Sequence, residues 1–178
     1  MPELIEVLSA ADIKTKVSDI AKIISSDYKN STLVLIGALK GSFIFLADLA
    51  RALSIPTQIG FIGVSSYGES TQTSGKINVT KELDVSVEGK DVLIVEDIVD
   101  TGLTLEFIVN YLNSYNPTSV KVCTLINKTE RRMVDVTVDY LCHLIPEGFL
   151  VGYGLDHAEN YRYLSAIYHL KSRSGDTK

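Results

Sequence analysis

The chain has 178 residues, of which 46% are hydrophobic and 22% charged, values typical of one ordinary globular domain with a full core. Its net charge of −5 argues against a broad nucleic-acid-binding surface, which needs a basic excess, but leaves room for a small phosphorylated ligand. No apolar run approaches the length of a membrane span and no signal peptide is evident. We therefore expect a cytoplasmic protein that binds neither membranes nor nucleic acid.

The first third of the chain predicts a helix, a strand and a second helix. Residues 9–27 carry an apolar stripe at helical spacing behind a Ser9 N-cap, and residues 32–37 suit a buried strand. Lys40-Gly41 follows this strand and precedes the second helix, where backbone amides and a cation could face an anion. On the residues alone, an exposed surface lysine is the better interpretation of Lys40.

A polar, hydroxyl-rich segment separates the next strands. Residues 57–65 predict a strand, and weaker strands are expected at 77–79 and 83–87. Between them, residues 65–76 have no periodicity and contain Ser66-Tyr67. A loop of this length is more often functional than not, and a lid that excludes water from a reactive centre is one such use. A disordered hairpin tip is the alternative.

The most informative stretch covers residues 92–104. Four apolar residues predict a strand buried on both faces, and the adjacent carboxylates Glu96 and Asp97 follow them. Asp100 then opens a small turn with one glycine and two hydroxyls, ahead of a helix that ends before Pro117. Each feature alone could be a strand end or a helix cap. Together they predict an anion site in which the turn holds a phosphate and the carboxylates take sugar hydroxyls or a cation.

The C-terminal part predicts further strands at 119–126, 139–145 and 163–170. Lys128 alone would be a solvated lysine at a strand end, and Phe149 alone would be a core residue. Cys123 and Cys142 lie in apolar, strand-like segments and are expected to be reduced core residues.

The stretch 92–104 closely resembles the phosphoribosyl-pyrophosphate-binding motif of type I phosphoribosyltransferases. With Leu39-Lys40-Gly41, Lys128 and the block 149–162, the chain resembles the hypoxanthine-guanine members of that family over roughly residues 31–170. The resemblance implies an α/β fold with a mostly parallel central sheet, flanking helices and a small hood. It implies a single domain over 1–178, with its core at about 31–145, a hood from the N-terminal segment and about 146–170, and a disordered tail at 171–178.

The resemblance also assigns roles to individual residues, with Asp100 as the catalytic base. The residues implied to bind phosphoribosyl pyrophosphate are Lys40, Gly41, Glu96, Asp97, Asp100, Thr101, Gly102, Leu103, Thr104 and Arg162. Those implied to bind the purine are Lys128, Phe149, Leu150 and Asp156, and Ser66-Tyr67 matches the start of the family's flexible catalytic loop. Magnesium is the implied cofactor, near Glu96, Asp97 and Asp156. One departure is Leu103, where some relatives carry a basic side chain.

The reaction implied is the magnesium-dependent transfer of ribosyl phosphate from phosphoribosyl pyrophosphate to hypoxanthine or guanine, by a homodimer or homotetramer. The residues leave the preference among hypoxanthine, guanine and xanthine open. Two alternatives are a phosphoribosyltransferase for xanthine or a pyrimidine, and a non-enzymatic sensor of phosphoribosyl pyrophosphate. The sensor is disfavoured because Asp100 and Ser66-Tyr67 are present and no basic DNA-binding element is visible.

Overall fold

A computed structural model describes residues 2–66 and 77–171. Tyr67 lies outside these ranges, and Ser66 is the last residue of a strand. The elements in chain order are β1 (Glu3–Leu8), α1 (Ala10–Asp27), β2 (Leu33–Leu39), α2 (Phe43–Ala52), β3 (Thr57–Ser66), β4 (Ile77–Lys81), β5 (Asp91–Val99), α3 (Leu103–Asn113), β6 (Ser119–Asn127), β7 (Tyr140–Leu144), β8 (Leu150–Val151) and β9 (Ile167–Lys171).

The central sheet has six strands in the order β4-β3-β2-β5-β6-β7, and every neighbouring pair is parallel except β3 and β4. β2 connects through α2 to β3 on one side, whereas β5 connects through α3 to β6 on the other. The strand order therefore reverses between β2 and β5. In open α/β sheets, ligands bind outside the carboxyl ends of the strands at such a reversal. The predicted α/β class is confirmed.

Alternate side chains of the central sheet pack into two apolar cores. Leu35 and Leu93 face α1 and α2, whereas Ile36 and Ile94 face α3. Because both faces are covered by helices, β2 and residues 92–95 of β5 are continuously apolar and almost entirely buried. The stripe predicted on α1 is confirmed as core packing, and the Ser9 hydroxyl accepts a hydrogen bond from the Asp12 amide as the predicted N-cap.

A second sheet brings the two ends of the chain together in the order β1-β9-β8, with antiparallel pairing throughout. This small sheet corresponds to the predicted hood, and we call it the hood sheet. β1 was not predicted, and Lys171, which was expected in a frayed tail, ends β9. Among the residues described, no helix is long and apolar enough to cross a membrane.

Two further strand predictions were wrong. Residues 83–87 form no strand; Val87 is buried against the sheet instead. β8 ends at Val151 because Gly152 and Gly154 adopt left-handed φ values of 100° and 101°. The last strand begins at Ile167 rather than at residue 163. A bent segment, residues 152–166, connects β8 to β9.

Candidate active site

A cleft of about 330 Å³ opens at the carboxyl ends of β2 and β5. It gathers most of the residues that the sequence singled out, from four separate parts of the chain. They are Lys40, Gly41, Asp97, Asp100, Lys128, Phe149, Leu150, Asp156 and Arg162. A second cavity of about 210 Å³ adjoins it through Asp97 and Asp100, and Glu96, Thr101, Gly102 and Thr104 also line it.

The acidic pair lies within β5 and not beyond its end. Parallel pairing with β6 continues through Val99, so Glu96 is held within the carboxyl-terminal half of β5 with only 6% of its surface exposed. Burial, and then the neighbouring carboxyl of Asp97, raise the pKa of Glu96 well above its ordinary value. Burial also raises the pKa of Asp97 to about 6, although the Ile98 amide and the Arg162 guanidinium oppose the shift. Glu96 is buried and Asp97 half-buried, and burial favours the protonated form of both acids.

The turn after β5 is shaped for an anion. Gly102 has φ 86° and begins α3 as its N-cap, and a Cβ atom there would lie 3.0 Å from the Val134 side chain. The Thr101 hydroxyl accepts a hydrogen bond of 3.4 Å from the Leu103 amide. The first amides of a helix have no intrahelical acceptors, and the helix dipole adds positive potential there. The turn at residues 101–104 can therefore bind a phosphate group.

The Lys40-Gly41 turn packs directly on the acidic pair. A Cβ atom at Gly41 would stand 1.6 Å from the Asp97 carboxylate oxygen, so only glycine fits there. The peptide bond between Leu39 and Lys40 is cis. The Lys40 side chain is exposed and its Nζ lies 3.1 Å from a carboxylate oxygen of Glu159. A backbone with no side chain in the way and an exposed ammonium group together suit an anionic ligand.

Asp100 and Lys128 form the most unusual polar pair in the cleft. Lys128 is 6% exposed, and its Nζ lies 3.9 Å from Asp100 Oδ1, too far for a hydrogen bond. Among the residues described, Asp100 Oδ1 is buried and has no hydrogen-bond partner. A buried acceptor left unpaired costs about 1–3 kcal/mol, so this oxygen is placed to receive a proton or a donor from a ligand. The Lys128 ammonium is placed to donate to a ligand oxygen.

Arg131 and Arg132 also contact Asp100, and neither was singled out from the sequence. Arg131 lines the cleft, with Nη1 3.4 Å from Asp100 Oδ2. Arg132 donates to the backbone carbonyls of Asp100 at 3.1 Å and of Lys128 at 2.9 Å, and to the Asn127 side-chain oxygen. Arg132 thereby ties the segment after β6 to the end of β5. Their only signal in the sequence was the charged run at 130–132.

The hood side of the cleft is formed by the segment after β7. Phe149 keeps 53% of its surface exposed and meets the His157 ring edge-on, whereas Leu150 is buried in the core. Arg162 donates to the Gly154 carbonyl at 2.8 Å and pairs with Asp156 at 2.8 Å. Phe149 is therefore a free aromatic surface at the cleft rather than a core residue.

The acidic pair fits a hard divalent cation. Mg²⁺ in proteins commonly takes one or two carboxylates and completes its shell with water and substrate phosphates. Within 2–66 and 77–171, no three His, Cys, Asp or Glu side chains lie close enough together to hold a metal by themselves. Glu96, Asp97 and Asp156 thus do not form such a cluster, and a cation there would need oxygens from the ligand.

Comparison with known proteins identifies the class. The family model of the phosphoribosyl transferase domain matches residues 6–158. The chain is 46% identical to the hypoxanthine-guanine phosphoribosyltransferase of Dictyostelium discoideum over 169 residues, covering 93% of this chain and 94% of that one. It is 42% identical to the hypoxanthine phosphoribosyltransferase of Salmonella typhimurium, covering 94% and 96%.

A solved structure gives the same result. The crystal structure of a hypoxanthine phosphoribosyltransferase from Staphylococcus aureus superposes with a TM-score of 0.90 at 40% identity, covering 93% of this chain and 90% of that one. The chain belongs to the phosphoribosyltransferase family, in its hypoxanthine-guanine branch. The resemblance and fold stated from the sequence are therefore confirmed, whereas the roles of single residues stay predictions.

Proposed function

We propose that this protein serves purine salvage by transferring ribosyl phosphate from phosphoribosyl pyrophosphate to hypoxanthine, guanine or both, yielding the nucleotide and pyrophosphate. The observation that carries the proposal is the convergence in two adjoining cavities of an acid pair, a turn that can bind a phosphate, four cationic side chains and an unpaired buried carboxylate oxygen. The names of the relatives support the same reaction.

The sugar end of the substrate belongs in the smaller cavity. The turn at residues 101–104 would bind the 5-phosphate through amides and hydroxyls, and Glu96 and Asp97 would hold the ribose hydroxyls.

Magnesium is part of the proposal: held by Glu96, Asp97 and substrate oxygens, it would neutralise charge on the pyrophosphate leaving group. Lys40, Gly41 and Arg162 would contact the same group from the other side, and guanidinium suits it because it binds phosphate oxygens in pairs.

The purine belongs between Phe149 and Lys128. Phe149 offers an exposed ring face for stacking, and the buried Lys128 ammonium would donate to the exocyclic oxygen of a six-oxopurine. Leu150 and Asp156 complete the predicted base pocket. Asp100 Oδ1 then takes the proton that the ring nitrogen loses as its bond to the sugar forms, a general-base role. Positive charge develops on the sugar as pyrophosphate departs, and the carboxylates below it are of the right sign to stabilise it.

Location and assembly complete the proposal. The two cysteines found free, Cys123 and Cys142, suit a reducing compartment, and we place the protein in the cytoplasm. We also expect a homodimer or homotetramer, supported by the exposed Tyr163 side chain, which lines a cavity of about 660 Å³, and by other exposed apolar side chains such as Phe43. Sedimentation of the purified protein measures the assembly directly.

The test is a nucleotide-formation assay with phosphoribosyl pyrophosphate, with and without magnesium. Hypoxanthine, guanine, xanthine, adenine and uracil are offered separately. We expect magnesium-dependent turnover of hypoxanthine, guanine or both, and little with adenine, whose amino group cannot accept a hydrogen bond from Lys128 in the way an oxygen does. Binding of phosphoribosyl pyrophosphate without turnover of any base would overturn the proposed reaction and leave a sensor.

A further inference from the structure

Glu159 lies across the mouth of the cleft and contacts both cations assigned to pyrophosphate. Its Oε1 is 3.1 Å from Lys40 Nζ, and its Oε2 is 3.4 Å from Arg162 Nη2. The two oxygens of one carboxylate thus bridge an ammonium group and a guanidinium group that come from separate segments of the chain. A phosphate group with two terminal oxygens could make the same bridge. No motif in the sequence singled out Glu159.

The backbone around Glu159 is held in an uncommon conformation. Ala158, Glu159 and Tyr161 have φ values of 49°, 62° and 76°, a region that residues other than glycine rarely adopt. The Glu159 amide donates to Asp156 Oδ2 at 2.8 Å, which fixes the turn beside the Asp156–Arg162 ion pair. Such conformations persist where the surrounding structure determines them, and they concentrate at functional sites. The turn aims the carboxylate of Glu159 at the two cations.

We propose that Glu159 is an internal stand-in for pyrophosphate: it occupies Lys40 and Arg162 when the site holds no pyrophosphate, yields them when phosphoribosyl pyrophosphate binds, and competes for them as the product leaves. This inference rests on the proposed function, which assigns Lys40 and Arg162 to pyrophosphate. Glu159 itself is not among the residues that the proposed function assigns to catalysis or substrate binding. Glu159 would limit pyrophosphate affinity and speed its release.

The energetics of the contact suit a displaceable group. The side chains of Lys40 and Glu159 are 67% and 64% exposed, and exposed ion pairs are weak because water and salt screen them. A single carboxylate is therefore a poor rival for a pyrophosphate that carries several charges. Its effect should be a modest change in affinity and not a block. We expect removal of the charge to tighten pyrophosphate binding by about 2- to 5-fold, the range that corresponds to a weak exposed pair.

The experiment titrates inorganic pyrophosphate into the full-length protein and two variants by calorimetry. Glu159→Gln keeps the size of the side chain and removes its charge. Glu147→Gln is the matched control, because it removes the same charge from an exposed position on the hood side and, among the described residues, makes no ion pair with Lys40 or Arg162. Thermal melts establish that each variant is folded. Glu159→Asn, whose side chain tolerates positive φ but is too short to reach both cations, provides a second test.

The expected result is tighter pyrophosphate binding by about 2- to 5-fold in both Glu159 variants, wild-type binding in Glu147→Gln, and unchanged affinity for the nucleotide product, which does not need Lys40 or Arg162. Equal or weaker pyrophosphate binding in the Glu159 variants would overturn the inference and leave Glu159 a structural residue. Tightening in Glu147→Gln as well would also overturn it, because the effect would then be one of net charge. These titrations contain no purine base, so failure of the nucleotide-formation assay would be a separate outcome that concerns the proposed reaction alone.

Discussion

Gly154 lies against Gly41, so close that a Cβ atom at Gly154 would stand 2.1 Å from the Gly41 carbonyl oxygen. Gly41 in turn leaves no room for a Cβ atom beside the Asp97 carboxylate. The backbone of the hood-side segment therefore packs on the backbone of the turn after β2, and that turn packs on the side-chain carboxylate of Asp97 in β5. This contact sets the distance between the cations and the acids of the cleft.

Substitution of Gly154 tests this stacking. In Gly154→Ala the new methyl group would displace residues 40–41 relative to the acidic pair, and displacements of about 1 Å at a reacting centre can lower the rate by roughly 100-fold. We expect turnover to fall by about 10- to 100-fold, together with a loss of stability. The measurement is steady-state kinetics with hypoxanthine beside a thermal melt.

Gly89→Ala is a control that separates the effect of the steric clash with Gly41 from the effect of backbone strain. Gly89 also has a left-handed φ, of 66°, but a Cβ atom there would meet nothing within 4 Å. This variant should lose about 1 kcal/mol of stability and keep its turnover. If Gly154→Ala were as active as Gly89→Ala, the contact with Gly41 would not position the site.

Substitution of Asp100 tests the base. Asp100→Asn keeps the shape of the side chain but cannot take a proton, so turnover should fall by about 10²- to 10⁴-fold. Binding of the nucleotide product should change little, because no proton moves in that equilibrium. Single-turnover kinetics and a product-binding titration measure the two effects, and wild-type turnover in this variant would remove Asp100 from the role.

Much of the fold could be predicted because its pattern is local. The stripe of α1 and the apolar runs of β2 and β5 follow directly from burial on one or two faces. β1 was missed because its sequence, Glu-Leu-Ile-Glu-Val-Leu, lacks the alternation of a strand and is mostly exposed, and only pairing with β9 makes it a strand. Pairing between distant segments leaves no periodic signal.

The same distinction holds for the site. The stretch 92–104 could be interpreted because acids, a turn and a helix start are adjacent in the sequence. The carboxylates of Glu96 and Asp97 were nevertheless placed beyond the strand, since a break in hydrophobicity resembles a strand end even where backbone pairing continues to Val99. Arg132 was missed because its guanidinium binds main-chain carbonyls, and acceptors of that kind exist at every position of a chain.

Substitution of Arg132 should harm catalysis although its side chain does not line the cleft. Arg132→Lys keeps the charge but cannot bond the Asp100 and Lys128 carbonyls together, because an ammonium group lacks the planar fork. We expect kcat/KM for the purine to fall by about 10- to 100-fold through misplacement of Asp100 and Lys128.

Arg131→Lys is the matched control, because the ion pair between Arg131 and Asp100 is largely exposed on the side of the arginine. We expect kcat/KM of this variant for the purine to fall by less than about 5-fold. Equal losses in the two variants would indicate that charge near Asp100 matters and the backbone bonds do not. Steady-state kinetics with varied hypoxanthine distinguishes these outcomes.

Substitution of Asp97 should stabilise the metal-free protein at neutral pH. The pKa of Asp97 is about 6 in the fold and has an ordinary value of 3.8, so the folded chain holds this proton more tightly than the unfolded chain does. The favourable contribution of the protonated carboxyl is fully present below pH 3.8 and is lost as the pH rises through 6. Above pH 6 the folded protein therefore carries the full unfavourable effect of a buried charge, which Asp97→Asn removes.

Melting curves in a chelating buffer between pH 4 and pH 8 measure the effect. At pH 8 we expect Asp97→Asn to melt at least about 2–4 °C above the wild type, the shift for about 1 kcal/mol in a chain of this size, and the difference should shrink towards pH 4. Asp84→Asn is the control of opposite sign, because the Lys81 ammonium lowers the pKa of Asp84. It should melt at or below the wild-type temperature at pH 8. A wild-type melting temperature for Asp97→Asn at every pH would show that the buried acid pair does not oppose folding.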